Sequence, residues 1–520
     1  MRNPVAVTME PLEDRQTAVP QDAYERERLD NVRPPDWRNP QPADRYSLIV
    51  IGAGTAGQVA AYEAAARGLN VALVDHNLFG GNCLNIGCVP SKAIIRTSRL
   101  YAEMRNATQY GAMRPTDIRV DFAAVMERMR SIRARISRVS SVRRLAEANV
   151  DVFFGHACFT AHDTLSVDGT TLRFKRALIA TGAGPDTPNI TGLAEAGYLT
   201  NETAFNLTEA PRRLLVIGGG PLGCEMAQAF CRLGIQVVIV EEHPLFLPRE
   251  ERDAAQILAD SFSRDGMSVR LNTRAVTVRV ENGEKLVDVV SDDYRATIAT
   301  DAILTGTGRV PAVDGLNLEA AGVGYDKVIG AHVNDFLQTA NPRIYAAGDA
   351  CLVNKFNHTA EASARLAVRN ALASGRERVS ELVIPWCTYT DPEIAHVGMY
   401  VRDAIEKDIP VKTFTIPMHE VHRAITDDDE IGFVKIHVKE NTDRILGATI
   451  VARHAGEMIN EITLAMVARV GLSTVARTIH SYGTQAEGIK MAADAHERAR
   501  RKSPITSLLK RLWRGAVDLS

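Results

Sequence analysis

The chain is short of the features that mark several common classes of protein. It has seven cysteines in 520 residues. That is too few, and an odd number, for a disulfide-built secreted domain, so the expected compartment is a reducing, cytoplasmic one. No uncharged apolar run is long enough to span a bilayer, and the N-terminus has no stretch of signal-peptide type. A formal net charge of −2 gives no electrostatic case for a nucleic-acid partner. Zinc sites of the paired-cysteine kind need two pairs, and the cysteines at 158, 224, 231, 351 and 387 form none to accompany Cys83 and Cys88.

What remains is an ordinary soluble composition, 45% hydrophobic and 24% charged, in a chain long enough for several domains. Its most informative stretch is Gly80-Gly81-Asn82-Cys83-Leu84-Asn85-Ile86-Gly87-Cys88-Val89-Pro90-Ser91-Lys92. Two cysteines five positions apart come after a glycine-rich turn, at the expected entrance to a helix starting near Ser91. A helix N-terminus favours negative charge and so favours thiolate, the form that exchanges with disulfides and binds soft metals. The pair alone is read as a cycling dithiol/disulfide, with two packed, inert thiols as the alternative.

The stretch lies inside a nucleotide-binding pattern. Ser47-Leu48-Ile49-Val50-Ile51 reads as a strand, Gly52-Ala53-Gly54-Thr55-Ala56-Gly57 as a turn, then a helix to about Gly68 and a strand, Val71-Ala72-Leu73-Val74, ending at Asp75. The glycines let the backbone close on a pyrophosphate at the helix N-terminus, and an acid about 20 residues on accepts from a ribose hydroxyl. The pattern repeats at Leu214-Leu215-Val216-Ile217, Gly218-Gly219-Gly220-Pro221-Leu222-Gly223 and Gln236-Val237-Val238-Ile239-Val240, ending in Glu241. Two complete fingerprints predict two dinucleotides. An acid at the second ribose position favours NADH over NADPH, because a 2′-phosphate would meet a carboxylate.

Around these units the chain is less explicit. Residues 1–45 are polar and proline-dotted and are expected to form an extended arm lying on the body or partly disordered, with Trp37 either anchoring it or exposed without a role. An arginine-rich stretch over 121–148 predicts a long solvated or interface helix. Strand-and-turn patterns close the nucleotide units at Ala180-Thr181-Gly182, Thr305-Gly306-Thr307-Gly308 and Ala347-Gly348-Asp349. From about Pro385, short strands alternate with helices and no further fingerprint occurs, which predicts an α+β domain. The tail at 503–514 reads as a basic amphipathic helix, expected either to touch a membrane surface or to dock on the protein itself.

On these residues the chain resembles the pyridine nucleotide–disulfide oxidoreductases, a flavoprotein family that includes lipoamide dehydrogenase, glutathione reductase and mercuric reductase. The resemblance runs from about residue 46 to 500. It rests on the two fingerprints in order, the C-x4-C pair with Val89-Pro90-Ser91-Lys92, the Thr-Gly turn and Ala347-Gly348-Asp349. It implies an α/β fold with two Rossmann-like domains, for FAD and NAD, and a C-terminal α+β dimerisation domain. The implied division is an arm at 1–45, an FAD domain at 46–200, an NAD domain at 201–312, a central continuation at 313–384, a dimerisation domain at 385–498 and the tail at 499–520.

The same resemblance implies a homodimer. FAD is placed on Gly52, Gly54, Gly57, Asp75, Thr181, Gly182 and Asp349, and the nicotinamide nucleotide on Gly218, Gly220, Gly223, Glu241 and Gly308. Cys88 is placed against the flavin and Cys83 toward the substrate, with Lys92 paired to Glu225 beside the flavin. Disulfide-reducing members carry a histidine acid/base near the C-terminus; here the segment reads Ile479-His480-Ser481-Tyr482-Gly483-Thr484-Gln485-Ala486-Glu487. Tyr482 takes the histidine's place and Glu487 keeps the acid's, as in mercuric reductases, while His480 reads as a local hydrogen-bonding residue or a substitute base. The chain ends Val517-Asp518-Leu519-Ser520 and has no cysteine in 1–45. Metal is therefore expected to reach Cys83 without a relay, binding only in passing at Cys83 and Cys88, with no resident metal site. The expected function is electron transfer from NADH through FAD and the thiol pair to Hg(II). The alternatives are a dihydrolipoamide dehydrogenase-type reductase and a membrane-surface electron-transfer flavoprotein.

Overall fold

The computed structural model describes residues 19–113, 117–373 and 375–501. These fall into two compact units. The first runs from the described N-terminus to Gly223 and adds 229–242 and 272–379; the second takes 224–228, 243–271 and 380 to the described end.

The first unit opens with a helix, α1 (Ala23–Val32), where an extended arm was expected. Asp22 caps it, its Oδ1 accepting from the Glu25 backbone N–H at 2.8 Å. The helix packs against the helix at Phe122–Ser137. Its mean hydropathy is low, and it is held by polar contacts rather than an apolar stripe. Trp37 does anchor the segment after it, its Nε1 donating to the Val152 carbonyl at 3.2 Å. Then come β1 (Tyr46–Ile51), α2 (Thr55–Ala65), β2 (Val71–Asp75), α3 (Gly81–Ile86), α4 (Cys88–Arg105), α5 (Phe122–Ser137), α6 (Val142–Glu147), β3 (Val150–Phe154) and β4 (Thr170–Ile179). The single helix expected over 121–148 is thus two. Its arginines are not all solvated either, since Arg130 and Arg133 on α5 are buried.

Next are β5 (Arg213–Ile217), α7 (Pro221–Arg232), β6 (Gln236–Val240), β7 (Ala302–Thr305) and β8 (Ile344–Ala346). In a seven-stranded mixed sheet the parallel strands have the order β3-β2-β1-β4-β8. β1 and β2 are nearly continuous apolar runs because both faces are covered, while β4 is so only at its end, over 177–179. The chain order reverses beside β1, and ligands of such sheets bind at the carboxyl ends of the strands at that point. The 52–57 turn, Asp75, the 181–182 turn and Asp349 all lie at that edge. A second parallel sheet, β7-β5-β6, repeats the design with the 218–223 turn, Glu241 and Gly308 at its carboxyl edge.

The second unit is built on an antiparallel sheet of β9 (Pro385–Thr388), β10 (Glu393–Gly398), β11 (Val411–Pro417), β12 (Phe433–Lys439) and β13 (Ile445–Ala452), ordered β9-β10-β13-β12-β11. Helices α8 (Ala455–Val467) and α9 (Glu487–Arg501) bring Ile459, Ile462, Ile489 and Ala492 into one core with Val397, Val434, Ile436 and Ile450. The α/β class expected from the sequence therefore holds. The basic helix expected at 503–514 lies outside the described residues.

Polar groups are also buried in this second unit. His437 Nε2 lies 2.9 Å from Glu251 Oε1, and Lys435 bridges Glu251 and Asp253. His396 hydrogen-bonds Thr449 Oγ1 at 2.8 Å and stacks on Tyr400, with ring centroids 3.6 Å apart. Burial pushes the His396 imidazole from 6.5 down to about 3. Above pH 6.5 it is neutral in both folded and unfolded chains. Below that, the unfolded chain takes up a proton that the folded site refuses. Stability therefore falls as pH falls toward 3, by at most about 1.4 kcal/mol per pH unit. Urea unfolding read by Trp386, whose ring centroid lies 4.6 Å from that of His396, is expected to show this slope when the other tryptophans are replaced by phenylalanine. His396→Gln should flatten the slope by one proton's worth; an unchanged slope would contradict the assignment.

Candidate active site: two dinucleotide cradles and a thiol pair

The first cradle is shaped by close backbone approach. Gly52 has φ +102°, and a Cβ there would lie 2.4 Å from the Ala180 carbonyl oxygen. A Cβ on Gly57 would lie 1.7 Å from the Gly52 carbonyl oxygen. Gly54, at the start of α2, has room, with its nearest atom, Gly81 Cα, at 3.7 Å. The α2 N-terminus carries no side-chain cap, which leaves its first N–H groups for an anion. Asp75 accepts from the Ala53 backbone N–H at 2.6 Å and from that of Asn77 at 2.7 Å. Thr181 Oγ1 is buried with no hydrogen-bond partner, and Gly182 turns at φ +75°. These residues fit FAD, since the cradle leaves space where side chains would close it and a buried hydroxyl waits for a polar atom.

Asp349 forms an ion pair with Arg309 at 2.6 Å. Burial raises its pKa, and the positive charges of Arg309 and Lys355 oppose the rise. Arg309 was not among the residues expected from the sequence although it directly succeeds Gly308; its charge beside the Thr-Gly turn was the available signal.

The second cradle repeats the first. Gly218 has φ +102°, and a Cβ on Gly223 would lie 2.2 Å from the Gly218 carbonyl oxygen. Gly220 starts α7 without a side-chain cap. Glu241 Oε2 accepts from the Gly219 backbone N–H at 2.6 Å. The separation is 22 residues in both carboxylate-to-loop bonds. Glu241 is thus a built part of the turn.

Between the cradles in sequence lies the thiol pair. Cys83 is on α3, and Cys88 is the first residue of α4, so the helix begins three residues before Ser91. Gly87 separates the two helices; a Cβ there would lie 2.9 Å from the Asn82 carbonyl oxygen. Cys88 is exposed and Cys83 half-buried. The Cys83 thiol is pushed up, first by its hydrogen bond with Cys88, then by burial and by the Cys88 charge; the cation of Lys92 opposes this. The helix start expected near Ser91 is that of α4 and belongs to Cys88, while Cys83 lies one helix earlier. Glu225, expected to pair with Lys92, belongs to the second unit, and there its Oε1 accepts from the Tyr389 backbone N–H at 2.9 Å.

In the same unit, Tyr482 is 78% exposed and its hydroxyl lies 3.2 Å from His422 Nδ1. Glu487 opens α9, with Oε2 buried and unpartnered. His480 is held locally, through Nε2 to Glu461 Oε1 at 2.8 Å and Nδ1 to the Thr478 carbonyl at 3.2 Å. Nothing in the sequence singles out His422. It lies 60 residues from Tyr482, and no local pattern connects them.

Two dinucleotide cradles on parallel sheets, a C-x4-C thiol pair and a separate antiparallel domain define a nicotinamide- and flavin-linked dithiol oxidoreductase. The chain belongs to the pyridine nucleotide-disulphide oxidoreductase family, whose model matches residues 46–371, with the family's dimerisation domain matching 384–493. That family is FAD-dependent and uses a pyridine nucleotide. A mercuric reductase of Staphylococcus aureus is 33% identical over 450 residues, covering 86% of this chain and 82% of that protein. A mitochondrial dihydrolipoyl dehydrogenase of Schizosaccharomyces pombe is 33% identical over 460 residues, covering 86% and 89%. Among solved structures, the HOCl-induced flavoprotein disulfide reductase RclA of Escherichia coli superposes with TM-score 0.77 at 28% identity, covering 86% of this chain and 99% of that one. It has also been solved as a Cu(II) complex. No helix among the described residues is long and apolar enough to cross a membrane.

The cradle geometry separates two substitutions. Gly54→Ala has room for its methyl group and is expected to fold, judged by near-ultraviolet circular dichroism, yet to bind FAD at least about tenfold more weakly because the methyl faces the pyrophosphate. Gly57→Ala has no room and is expected to lose the fold of the turn itself. FAD retention by Gly54→Ala equal to that of the parent would contradict the placement.

Proposed function

We propose that this chain is a homodimeric enzyme that passes two electrons from NADH to a soft metal ion, Hg(II) foremost, through the Cys83–Cys88 pair. The observation that carries the choice of acceptor is Tyr482, which stands where disulfide-reducing relatives are expected to carry a histidine base. A phenol is a poorer base than an imidazole at neutral pH, whereas metal reduction needs no proton taken from an incoming thiol. The net reaction, NADH and Hg(II) giving NAD⁺, a proton and Hg(0), balances in electrons and charge. The similarity to mercuric reductases and the Cu(II) complex of the Escherichia coli flavoprotein support a metal acceptor.

Bound FAD supplies the two-electron relay between the nicotinamide and the thiols. Gly52, Gly54, Gly57 and Asp75 bind its pyrophosphate and ribose end, with Thr181, Gly182 and Asp349 along the rest. Gly218, Gly220, Gly223 and Gly308 admit the nicotinamide nucleotide, and Glu241 accepts from its ribose hydroxyls and repels a 2′-phosphate. Lys92 supplies a positive charge on the flavin side of the thiols. Cys88 serves the flavin side and Cys83 the acceptor side. Tyr482 and Glu487 complete the acceptor site across the dimer. The exposure of Ile479, at 96%, and of Tyr482 supports a face that a second copy covers.

A second reading, a dihydrolipoamide dehydrogenase-type reductase, is favoured by one contact. His422 Nδ1 lies 3.2 Å from the Tyr482 hydroxyl, so an imidazole is available where a base is needed. Parallel turnover assays separate the two readings. NADH-dependent Hg(II) reduction is expected to exceed that of free FAD by at least about a hundredfold, roughly 2.7 kcal/mol of barrier, with lipoamide turned over far more slowly. Hg(II) reduction no faster than free flavin, together with lipoamide turnover that His422→Ala lowers tenfold or more, would overturn the metal reading in favour of the second. In the same assays Glu241→Gln should narrow the preference for NADH over NADPH by tenfold or more; an unchanged preference would remove Glu241 from the ribose site.

A further inference from the structure

The family match begins at residue 46, so α1 lies outside it, and nothing in the reaction above uses α1. Yet α1 carries two of four polar side chains that form a buried charged knot: Glu25 and Asn85, with Arg28 and Arg133, are 2%, 4%, 4% and 2% exposed respectively. Glu25 Oε2 accepts from Arg28 Nε at 3.1 Å and from Arg133 Nη2 at 2.8 Å, and Glu25 Oε1 accepts from Arg28 Nη2. Each arginine then reaches one residue of α3. Arg28 Nη1 donates to Asn85 Oδ1, and Arg133 Nη1 donates to the Asn85 backbone carbonyl at 2.8 Å. The Asn85 side-chain NH₂ donates to the carbonyls of Phe79 at 3.0 Å and Gly81 at 2.9 Å. Asn85 is two residues after Cys83 and three before Cys88.

A carboxylate and two guanidinium groups withdrawn from water are costly unless every partner stays in place, so such a knot specifies one geometry strongly. Burial lowers the Arg133 pKa to about 10 against the opposing charge of Glu25. The knot ends on Asn85, inside the segment between the two thiols. Their sulfurs must approach to about 2.05 Å in the disulfide and separate in the dithiol, while the segment between them keeps its course.

We propose that α1 is a positioning element for the thiol pair: Arg28, seated on Glu25, and Arg133 grip Asn85 and hold residues 84–87 in the course that lets Cys83 and Cys88 cycle. This rests on reading Cys83 and Cys88 as the redox couple. The grip favours one sulfur geometry over the other, so its loss moves the dithiol/disulfide equilibrium as well as the local backbone.

The test uses the full-length, FAD-loaded protein and two readouts: the dithiol/disulfide equilibrium constant against a dithiothreitol redox buffer, and amide hydrogen exchange over 82–88. Arg28→Met, similar in length but without donors, is expected to shift the equilibrium constant at least tenfold, about 30 mV for two electrons, and to raise exchange tenfold or more. Arg28→Lys, which keeps the charge but not the fork, should shift both in the same direction by less. Arg138→Ala breaks only the exposed pair between Arg138, just after α5, and Glu27 of α1 and should leave both at parent values. Parent values in Arg28→Met would overturn the proposal; if that variant does not fold, parent values in Arg28→Lys would do so. A parent protein with no titrating Cys83–Cys88 couple would sink the redox reading itself, a result distinct from an intact couple that is indifferent to Arg28.

Discussion

The structure depends on two places where the backbone passes so close to itself that only hydrogen fits. A side chain on Gly57 or Gly223 would meet the carbonyl oxygen of Gly52 or Gly218 at 1.7 or 2.2 Å. That constraint brings the helix N-terminus tightly onto the end of the first strand of each parallel sheet. The carboxylate closing the next strand can then hydrogen-bond the turn, from Asp75 in one unit and Glu241 in the other. Placement at the carboxyl edge does the rest: Thr181, Gly182 and Asp349 are delivered to the first cradle by neighbouring strands, and Gly308 to the second. One design used twice gives the chain two dinucleotide sites that differ in the segment after the acid. Only the first leads into a pair of thiols.

The chemistry of that pair is set by unequal surroundings. Cys88 stands at a helix start, which favours negative charge, while Cys83 is half-buried and hydrogen-bonded to it, so its proton is held more tightly. Lys92, one turn into α4, opposes that shift and supplies the positive charge that two neighbouring sulfurs require. At the other end of the chain, the Tyr482 hydroxyl lies against His422 Nδ1. The choice of acceptor turns on whether that phenol acts alone or with its imidazole.

Much of this was legible in the sequence because it depends on local patterns. Glycine spacing, an apolar strand and a terminal acid occupy about 30 consecutive residues in each fingerprint, and the cysteines sit in one short motif. The features that escaped reading are joined at long range by polar groups. Ala23–Val32 reads as part of an extended or partly disordered arm because Ala-Tyr-Glu-Arg-Glu-Arg-Leu-Asp-Asn-Val has no apolar stripe. Its helix is fixed by Glu25 on Arg133, 108 residues away. Charge in α5 reads as a solvated or interface face for the same reason: hydrophobic periodicity cannot register arginines buried on a carboxylate. His422 and the break between α5 and α6 likewise leave no mark in a local window.

The central claim is that electrons pass through a thiol pair as well as a flavin. It is tested most directly by anaerobic titration of the purified, FAD-loaded protein with dithionite, monitored to completion by absorbance. The account predicts four electrons per chain, two in the flavin and two in Cys83–Cys88, with a long-wavelength thiolate-to-flavin band after the first two and only two electrons in Cys88→Ala. Uptake of two electrons by the unaltered protein, with no such band, would contradict it.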